Sequence, residues 1–316
     1  MSQESSDFTN RLLHIMHQLT GKPAFTALFT VTAIVTIQLF IFTIPQLSSE
    51  LSPEAETSNY CPNWGRLVEP AQLCHMPYLS HKGYFINTLF MATMKCSGQL
   101  RKGLNLQMIR NQADGKGFVT FRENRTDCTV VSLGIGNDIV AELRIRRFLP
   151  QCKFYGADPE ESAGKIYRDI GIYDRAAVSN QSGMINASVL VGNHYRFKMV
   201  KSLSLIDFLI RHKLHNKVID YLLIDAEGAE FGLLPYMARG GPIDQAGIVI
   251  CQLNIDIQRD LENHNITNDQ YNLIIAQFIL DSDFVPVWVS KGINNRYFFI
   301  NYKSTQCMKR FYKHLC

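Results

Sequence analysis

The chain has 316 residues, of which 46% are apolar and 19% charged, with a formal net charge of +4. That balance suits a globular protein and excludes disordered, collagen-like and coiled-coil chains. Lys and Arg are dispersed with no run of four, so the basic stripe of a nucleic-acid binder is missing.

In chain order, the first feature is the uncharged run from Ala24 to Ile44. As a helix it would cover about 30 Å, one bilayer core. Its Thr hydroxyls can return to the helix backbone, which limits the cost of burying them. A core helix or a cleaved signal peptide are the alternatives, but the run is longer and starts later than a signal peptide's apolar region. Arg11 and Lys22 precede it, whereas Glu50, Glu54 and Glu56 follow and no Lys or Arg returns before Arg66. The positive-inside rule then places the N-terminus in the cytosol. The expected layout is a cytosolic tail 1–23, a signal anchor 24–44, a stem 45–60, a cap 61–127 and an α/β domain 128–316. The protein would be a type II single-pass membrane protein of the secretory pathway, in Golgi or endoplasmic reticulum.

All eight cysteines follow the apolar run, as do four N-x-S/T sequons at Asn124, Asn180, Asn186 and Asn265. An even cysteine set beyond a membrane anchor suggests disulfides and an oxidising compartment. The local pairings expected are Cys61–Cys74 and Cys307–Cys316, with Cys251 a buried thiol in an apolar strand.

The cap holds one helical stretch, GYFINTLFMATM, and no motif. From residue 129 the pattern becomes strands alternating with helices. Strands are expected at Thr129–Gly134, Lys153–Ala157, Arg175–Ser179, Val218–Asp225, Gly247–Asn254, Asp283–Val289 and Arg296–Asn301. Helices are expected at Ile139–Phe148, Ser162–Ile170, Leu203–His212, Ala229–Ala238 and Asp269–Leu280. Such alternation implies right-handed crossovers and a mainly parallel sheet. The last two strands are joined by the short turn SKGINN and should form an antiparallel hairpin.

Three segments carry chemistry. In Ser132-Leu133-Gly134-Ile135-Gly136-Asn137-Asp138 a β-run ends in Gly-x-Gly and a helix follows. Glycine allows a tight turn and close approach of a ligand, and Asn137 or Asp138 can cap the helix. Asp158 ends the next strand, where an acid can accept the hydroxyls of a ribose. The third glycine of a dinucleotide fingerprint is absent, and Asp138 would repel a pyrophosphate, so NAD and FAD are disfavoured. Ala176 and Ala177 in the third strand would leave room for an adenine, or are simply small core residues. Finally, Tyr221-Leu222-Leu223-Ile224-Asp225-Ala226-Glu227-Gly228-Ala229-Glu230 ends an apolar strand in three carboxylates. Asp225 and Glu227 could orient a hydroxyl, take its proton or hold a divalent metal, although nothing else supports a metal. Glu230 suits a helix N-terminus. His194, His212 and His215 lack metal-ligand spacing with a Cys.

These motifs, SLGIGND, FYGADP, RAAVSNQSG, LLIDAEGAEFGLLPY and ICQLNID, resemble the FkbM-type methyltransferase family, particularly its nematode-like membrane-anchored branch. The resemblance runs from about Asn124 to Asn301. It implies a class I Rossmann-like fold, S-adenosylmethionine as cofactor and transfer to a hydroxyl oxygen. It would put Gly134 and Gly136 at the methionine part, Asp158 at the ribose and Ala176 and Ala177 near the adenine. Asp225 and Glu227 would face the methyl acceptor, and Glu230 is grouped with them as a third catalytic candidate. The family's first motif begins with an acid, where this chain has Ser132; Asp138 is the expected substitute. With a lumenal domain, the acceptor would be a glycan or lipid hydroxyl. The alternative is a lumenal binding or scaffold protein that keeps the fold without turnover.

Overall fold

The computed structural model describes residues 61–316 except 80–84, 111–114, 122–124, 193, 260 and 292–293. The tail, apolar run and stem expected over 1–60 lie outside the described residues. Among the described residues no helix is long and apolar enough to cross a membrane.

Three helices come first: α1 (Pro62–Leu79), α2 (Phe85–Cys96) and α3 (Gly98–Leu104). A hairpin that the sequence reading did not anticipate follows, β1 (Gln107–Arg110) and β2 (Gly115–Phe118). Next come β3 (Thr129–Leu133), α4 (Val140–Phe148), β4 (Lys153–Ala157), α5 (Glu161–Tyr167) and β5 (Ile172–Asp174). Then β6 (Ala177–Ser179), β7 (Gly183–Val191) and β8 (His194–Ser204) make a second, small sheet. The chain continues through α6 (Leu205–Arg211), β9 (Ile219–Ile224), α7 (Glu230–Tyr236), α8 (Pro242–Gln245) and β10 (Ile250–Ile257). It closes with α9 (Asn268–Asp281), β11 (Phe284–Lys291), β12 (Asn295–Asn301) and a helical tail over 305–315.

The main sheet has seven strands in the order β11-β12-β10-β9-β3-β4-β5. β5, β4, β3, β9 and β10 pair in parallel, and β12 runs against both β10 and β11. This is the parallel sheet with a C-terminal antiparallel hairpin that the sequence implies. Every residue of β3, β9 and β10 is buried, as expected of strands covered on both faces. Their side chains alternate between two cores: Val131, Leu222 and Leu253 enter one, Val130, Tyr221 and Cys251 the other.

Strand order reverses between β3 and β9, because the chain builds outward through β4 and β5 before crossing to β9. Ligands of open α/β sheets bind outside the carboxyl ends of the strands at such a switch point.

The buried amides of β10 pin the β1–β2 hairpin. Asn254 accepts from the Gly117 N–H at 2.7 Å and donates to the Gly117 carbonyl at 2.9 Å. Gln252 does the same at Val119, at 2.9 Å each way. Two polar side chains thus satisfy a backbone edge that no strand pairs among the described residues.

Several expectations are corrected. The disulfides are Cys61–Cys316, Cys74–Cys96, Cys128–Cys152 and Cys251–Cys307, so neither local pairing forms and Cys251 is not a thiol. A continuous helix is the reason for the first: α1 separates Cys61 from Cys74 by roughly 20 Å of axis. Cys307 and Cys316 likewise sit at opposite ends of the helical tail. The expected strand Arg175–Ser179 is only β6, over Ala177–Ser179, which pairs with β8 in the small sheet; the strand that pairs with β4 in the main sheet is β5, which ends before it at Asp174. The expected helix from Leu203 starts two residues later, since Leu203 and Ser204 finish β8 and the Ser204 side chain caps α6 through the Asp207 N–H.

Candidate functional site

The carboxyl ends of β3, β4 and β9 open into one cleft. Its outer compartment holds about 720 Å³, within the range of small-molecule sites. The β7–β8 hairpin forms the facing wall through Ser188, Leu190, Tyr195 and Phe197.

The floor is the turn after β3. Gly134 and Gly136 have φ of +75° and +61°, conformations that favour glycine. A Cβ at Gly134 would overlap the Asp225 carbonyl oxygen, so the turn after β3 lies against the turn after β9. A Cβ at Gly136 would meet nothing within 4 Å and would project into the cleft. Asp158 fixes this loop. Its Oδ2 accepts from the Ile135 and Gly136 N–H at 3.0 and 2.9 Å, and its Oδ1 from the Glu160 N–H at 2.8 Å. Burial pushes the Asp158 carboxyl up, against those three donors. Oδ2 is saturated; Oδ1 keeps one acceptor position, and Asp158 lines the inner part of the cleft.

Asp138 turns its Oδ1 onto the Val140 N–H at 2.9 Å, at the start of α4, while still lining the cleft. A further acid stands behind it. Glu142, in the first turn of α4, is 4% exposed and accepts from Ser132 Oγ at 3.0 Å.

The carboxylate segment after β9 is a turn, not the extended chain that its alternation suggests. Glu227 has φ of +50° and Gly228 of +105°. A left-handed Glu costs about 1 kcal/mol and needs a cause. That cause is Glu230: its two oxygens accept from the Ala226 N–H at 2.5 Å and the Gly228 N–H at 2.7 Å, winding the turn around them. Glu230 is fully buried and does not line the cleft, so its expected catalytic place is corrected: it shapes the turn that carries Asp225 and Glu227.

Asp225 and Glu227 both line the cleft. Burial first, then the charges of Asp225, Asp256 and Asp158, raise the Glu227 carboxyl to about 7, while the Tyr195 hydroxyl opposes the shift. Asp256 joins the group from β10 and is held by Arg296 of β12 at 2.8 Å.

The hairpin wall is tied down at two points. Lys198 Nζ donates to Glu160 at 3.0 Å, and Asn137 Nδ2 donates to the Gly192 carbonyl at 3.2 Å. Beside it, Ala177 and Val178 of β6 and Ala187 and Val189 of β7 line the inner compartment with small and apolar groups. Ala176 instead packs in the core, 3% exposed, which corrects its expected place near the adenine.

The structure therefore gathers Gly134, Gly136, Asp138, Asp158, Ala177, Asp225 and Glu227 around one cleft. It adds Tyr195, Glu142, Lys116 and Asp256, which the sequence reading gave no role. Among the described residues, no group of three or more His, Cys, Asp or Glu is arranged to hold a metal ion.

No curated protein matches the chain. The sequence model of the methyltransferase FkbM domain matches residues 81–286, about two thirds of the chain, and that stretch runs from before α2 into β11 to include every residue of the cleft named above except Arg296. The chain belongs to the FkbM methyltransferase domain family.

Proposed function

We propose that the protein is an S-adenosylmethionine-dependent methyltransferase acting on a hydroxyl oxygen, with Glu227 as the group that takes the hydroxyl proton. The observation that carries the reading is the turn at the switch point: a glycine loop clamped by Asp158 and pressed against the Asp225–Glu227 turn.

The residues suit this cofactor. Asp158 Oδ1 can accept a ribose hydroxyl, and Ala177 and Val178 give a shallow apolar seat for an adenine. Asp138 and Glu142 beside the loop oppose a pyrophosphate. When bound, S-adenosylmethionine supplies an electrophilic methyl group on a sulfonium sulfur. The chain's own part is to bring an acceptor oxygen within about 3 Å of it and in line. Glu227, with a carboxyl near 7, is poised to exchange a proton at neutral pH, and the Tyr195 hydroxyl beside the cleft favours its ionised form. The Tyr195, Phe197 and Leu190 wall confines the acceptor from the opposite side.

The acceptor we infer is a lumenal glycan or lipid hydroxyl, reached by a domain on a type II anchor. Four disulfides, the apolar run 24–44 and the exposed sequon residues Asn180, Asn186 and Asn265 support a secretory-pathway location.

The test is calorimetric titration of the full chain in detergent with S-adenosylmethionine, S-adenosylhomocysteine and NAD. Binding of the first two, lost in Asp158→Ala, and no binding of NAD is the expected result. A folded protein that binds neither adenosyl compound sinks the reading and leaves a binding or scaffold role.

A further inference from the structure

The β7–β8 hairpin differs from the rest of the chain in its charge. From Gly183 to Ser204 it holds Arg196, Lys198, Lys201 and His194 and no Asp or Glu, in a protein whose Lys and Arg exceed its acids by only four. Lys198 is answered by Glu160, whereas Arg196, Lys201 and His194 are exposed.

Strand alternation sorts the hairpin's side chains. The cross-strand pairs Leu190–Tyr195, Ser188–Phe197, Asn186–Met199 and Met184–Lys201 share one face. The first two pairs line the cleft. From Tyr195 the face then runs outward for about 20 Å to Lys201. On that outer stretch Met184 and Met199 are each 62% exposed, and Phe197 is half-exposed.

A row of exposed apolar groups, flanked by cations and free of acids, matches the boundary between the headgroups and acyl chains of a bilayer. The two methionines and the Phe197 ring would enter the apolar layer. Lys201 can lay its stem there and keep its ammonium among lipid phosphates, and Arg196 adds a second cation. A free glycan would find only Asn186 and Lys201 to bond with on the outer stretch.

We propose that the β7–β8 hairpin docks on an anionic lipid surface by this face. Because the face is continuous with the cleft wall, docking opens the cleft mouth at the headgroup layer, and the acceptor is then a hydroxyl of a lipid headgroup. That consequence for the acceptor rests on the methyl-donor reading above; the docking does not. Docking also requires Asn186, whose side chain stands on the face, to carry no glycan. Asn180 and Asn265 lie outside the hairpin.

The test places a fluorescent reporter on the face. The full chain is reconstituted into phosphatidylcholine vesicles with brominated acyl chains, with or without about a third phosphatidylserine. Met199→Trp carries the reporter at an exposed position, and Met184→Trp repeats it on the neighbouring strand in case one variant fails to fold. Wild type supplies the background of Trp64 and Trp288. The expected result is blue-shifted emission quenched by bromine in the phosphatidylserine vesicles, with most of the quenching lost when Arg196→Glu and Lys201→Glu are added to Met199→Trp. Emission of a water-exposed Trp without quenching overturns the proposal. So does blue emission that bromine does not quench, which means that a second copy or another part of the chain covers the face. Quenching indifferent to the charge reversal, or a glycan found on Asn186 by peptide mass mapping, overturns it as well. S-adenosylhomocysteine titration of the same vesicles checks the methyl-donor reading separately, since Met184, Arg196, Met199 and Lys201 do not line the cleft. No binding there leaves the docking standing and removes only its consequence for the acceptor.

Discussion

Tyr195 of the β7–β8 hairpin and Glu227 of the turn after β9 line the same cleft. The Tyr195 hydroxyl favours ionised Glu227 and so opposes burial, which holds its carboxyl near 7. Tyr195→Phe removes that donor and leaves the burial. The Glu227 carboxyl should then titrate above its wild-type value and be more protonated at neutral pH. The measurement is a carbon-13 NMR titration of side-chain-labelled Glu, with Glu227→Gln identifying the resonance. A midpoint that stays put or falls in Tyr195→Phe rejects the pairing.

Gly134 and Gly136 share a left-handed backbone but differ in surroundings. Replacing either with Ala brings strain of about 1–2 kcal/mol. At Gly134 the new Cβ must also displace the Asp225 carbonyl and with it the contact between the β3 and β9 turns. Gly134→Ala should therefore lose about 3 kcal/mol or more in urea unfolding. Gly136→Ala should lose only the strain, yet bind S-adenosylhomocysteine poorly, because its methyl group enters the cleft. Equal stability losses would contradict this division of roles.

Much of the site could be read in the sequence because it lies where apolar strands stop. The runs ending at Leu133, Ala157 and Ile224 announce strand ends, and the Gly and Asp residues just beyond them had to lie at one sheet edge. The opposite wall went unread. Yet Tyr195, Phe197 and Met199 alternate with Arg196, Lys198 and Val200, and Gly192-Asn193 separates this run from Met184–Val191, a hairpin signal of period two. Its apolar positions are exposed at 56%, 49% and 62% for Tyr195, Phe197 and Met199, so the pattern faces the cleft and solvent, not a core. Glu142 and Lys116 were hidden for another reason. One is an ordinary first-turn helix acid, the other a lone Lys near an unread hairpin, and only tertiary packing brings them together.

Cys61 and Cys316 close the described chain on itself across 255 residues, with Trp64 stacked on Tyr312 at 4.7 Å beside them. Asn63 adds a hydrogen bond to the Cys316 carbonyl at 2.7 Å. Cross-links of this kind restrict the unfolded chain, and removing one costs about 2–5 kcal/mol. A Cys61→Ser/Cys316→Ser double variant should lose stability in that range. Trp64 is 3% exposed in the intact protein, so its fluorescence should shift to the red as α1 loosens from the tail. Adenosyl-ligand affinity should hold, because the cleft residues are carried by other elements. A stability loss well below that range would show that the stacking and packing around Trp64 suffice without the bond.

The buried acids around the β9 turn set how stability responds to pH. Burial raises Glu230 to about 8 and Glu227 to about 7, against an ordinary value of 4.5 for each. Each therefore binds its proton more tightly in the folded protein than in the unfolded chain. By linkage, their contribution is complete below about pH 4.5 and is lost as pH rises through 7 and 8. Asp220, which burial raises to about 6 against its bonds to Arg310 and the Thr129 N–H, adds to the same slope at lower pH. The thermal midpoint should thus fall between pH 6 and 8, a range set by these groups. Glu230→Gln cannot titrate and should flatten the upper part of that slope. It should also start lower, by about 1 kcal/mol, since one carboxamide oxygen cannot serve both the Ala226 and Gly228 N–H groups as the two carboxyl oxygens do. Scanning calorimetry of both proteins across that pH range checks the sign. A wild-type midpoint that rises toward pH 8, or a Glu230→Gln slope equal to it, would show that the acid does not hold its proton in the fold.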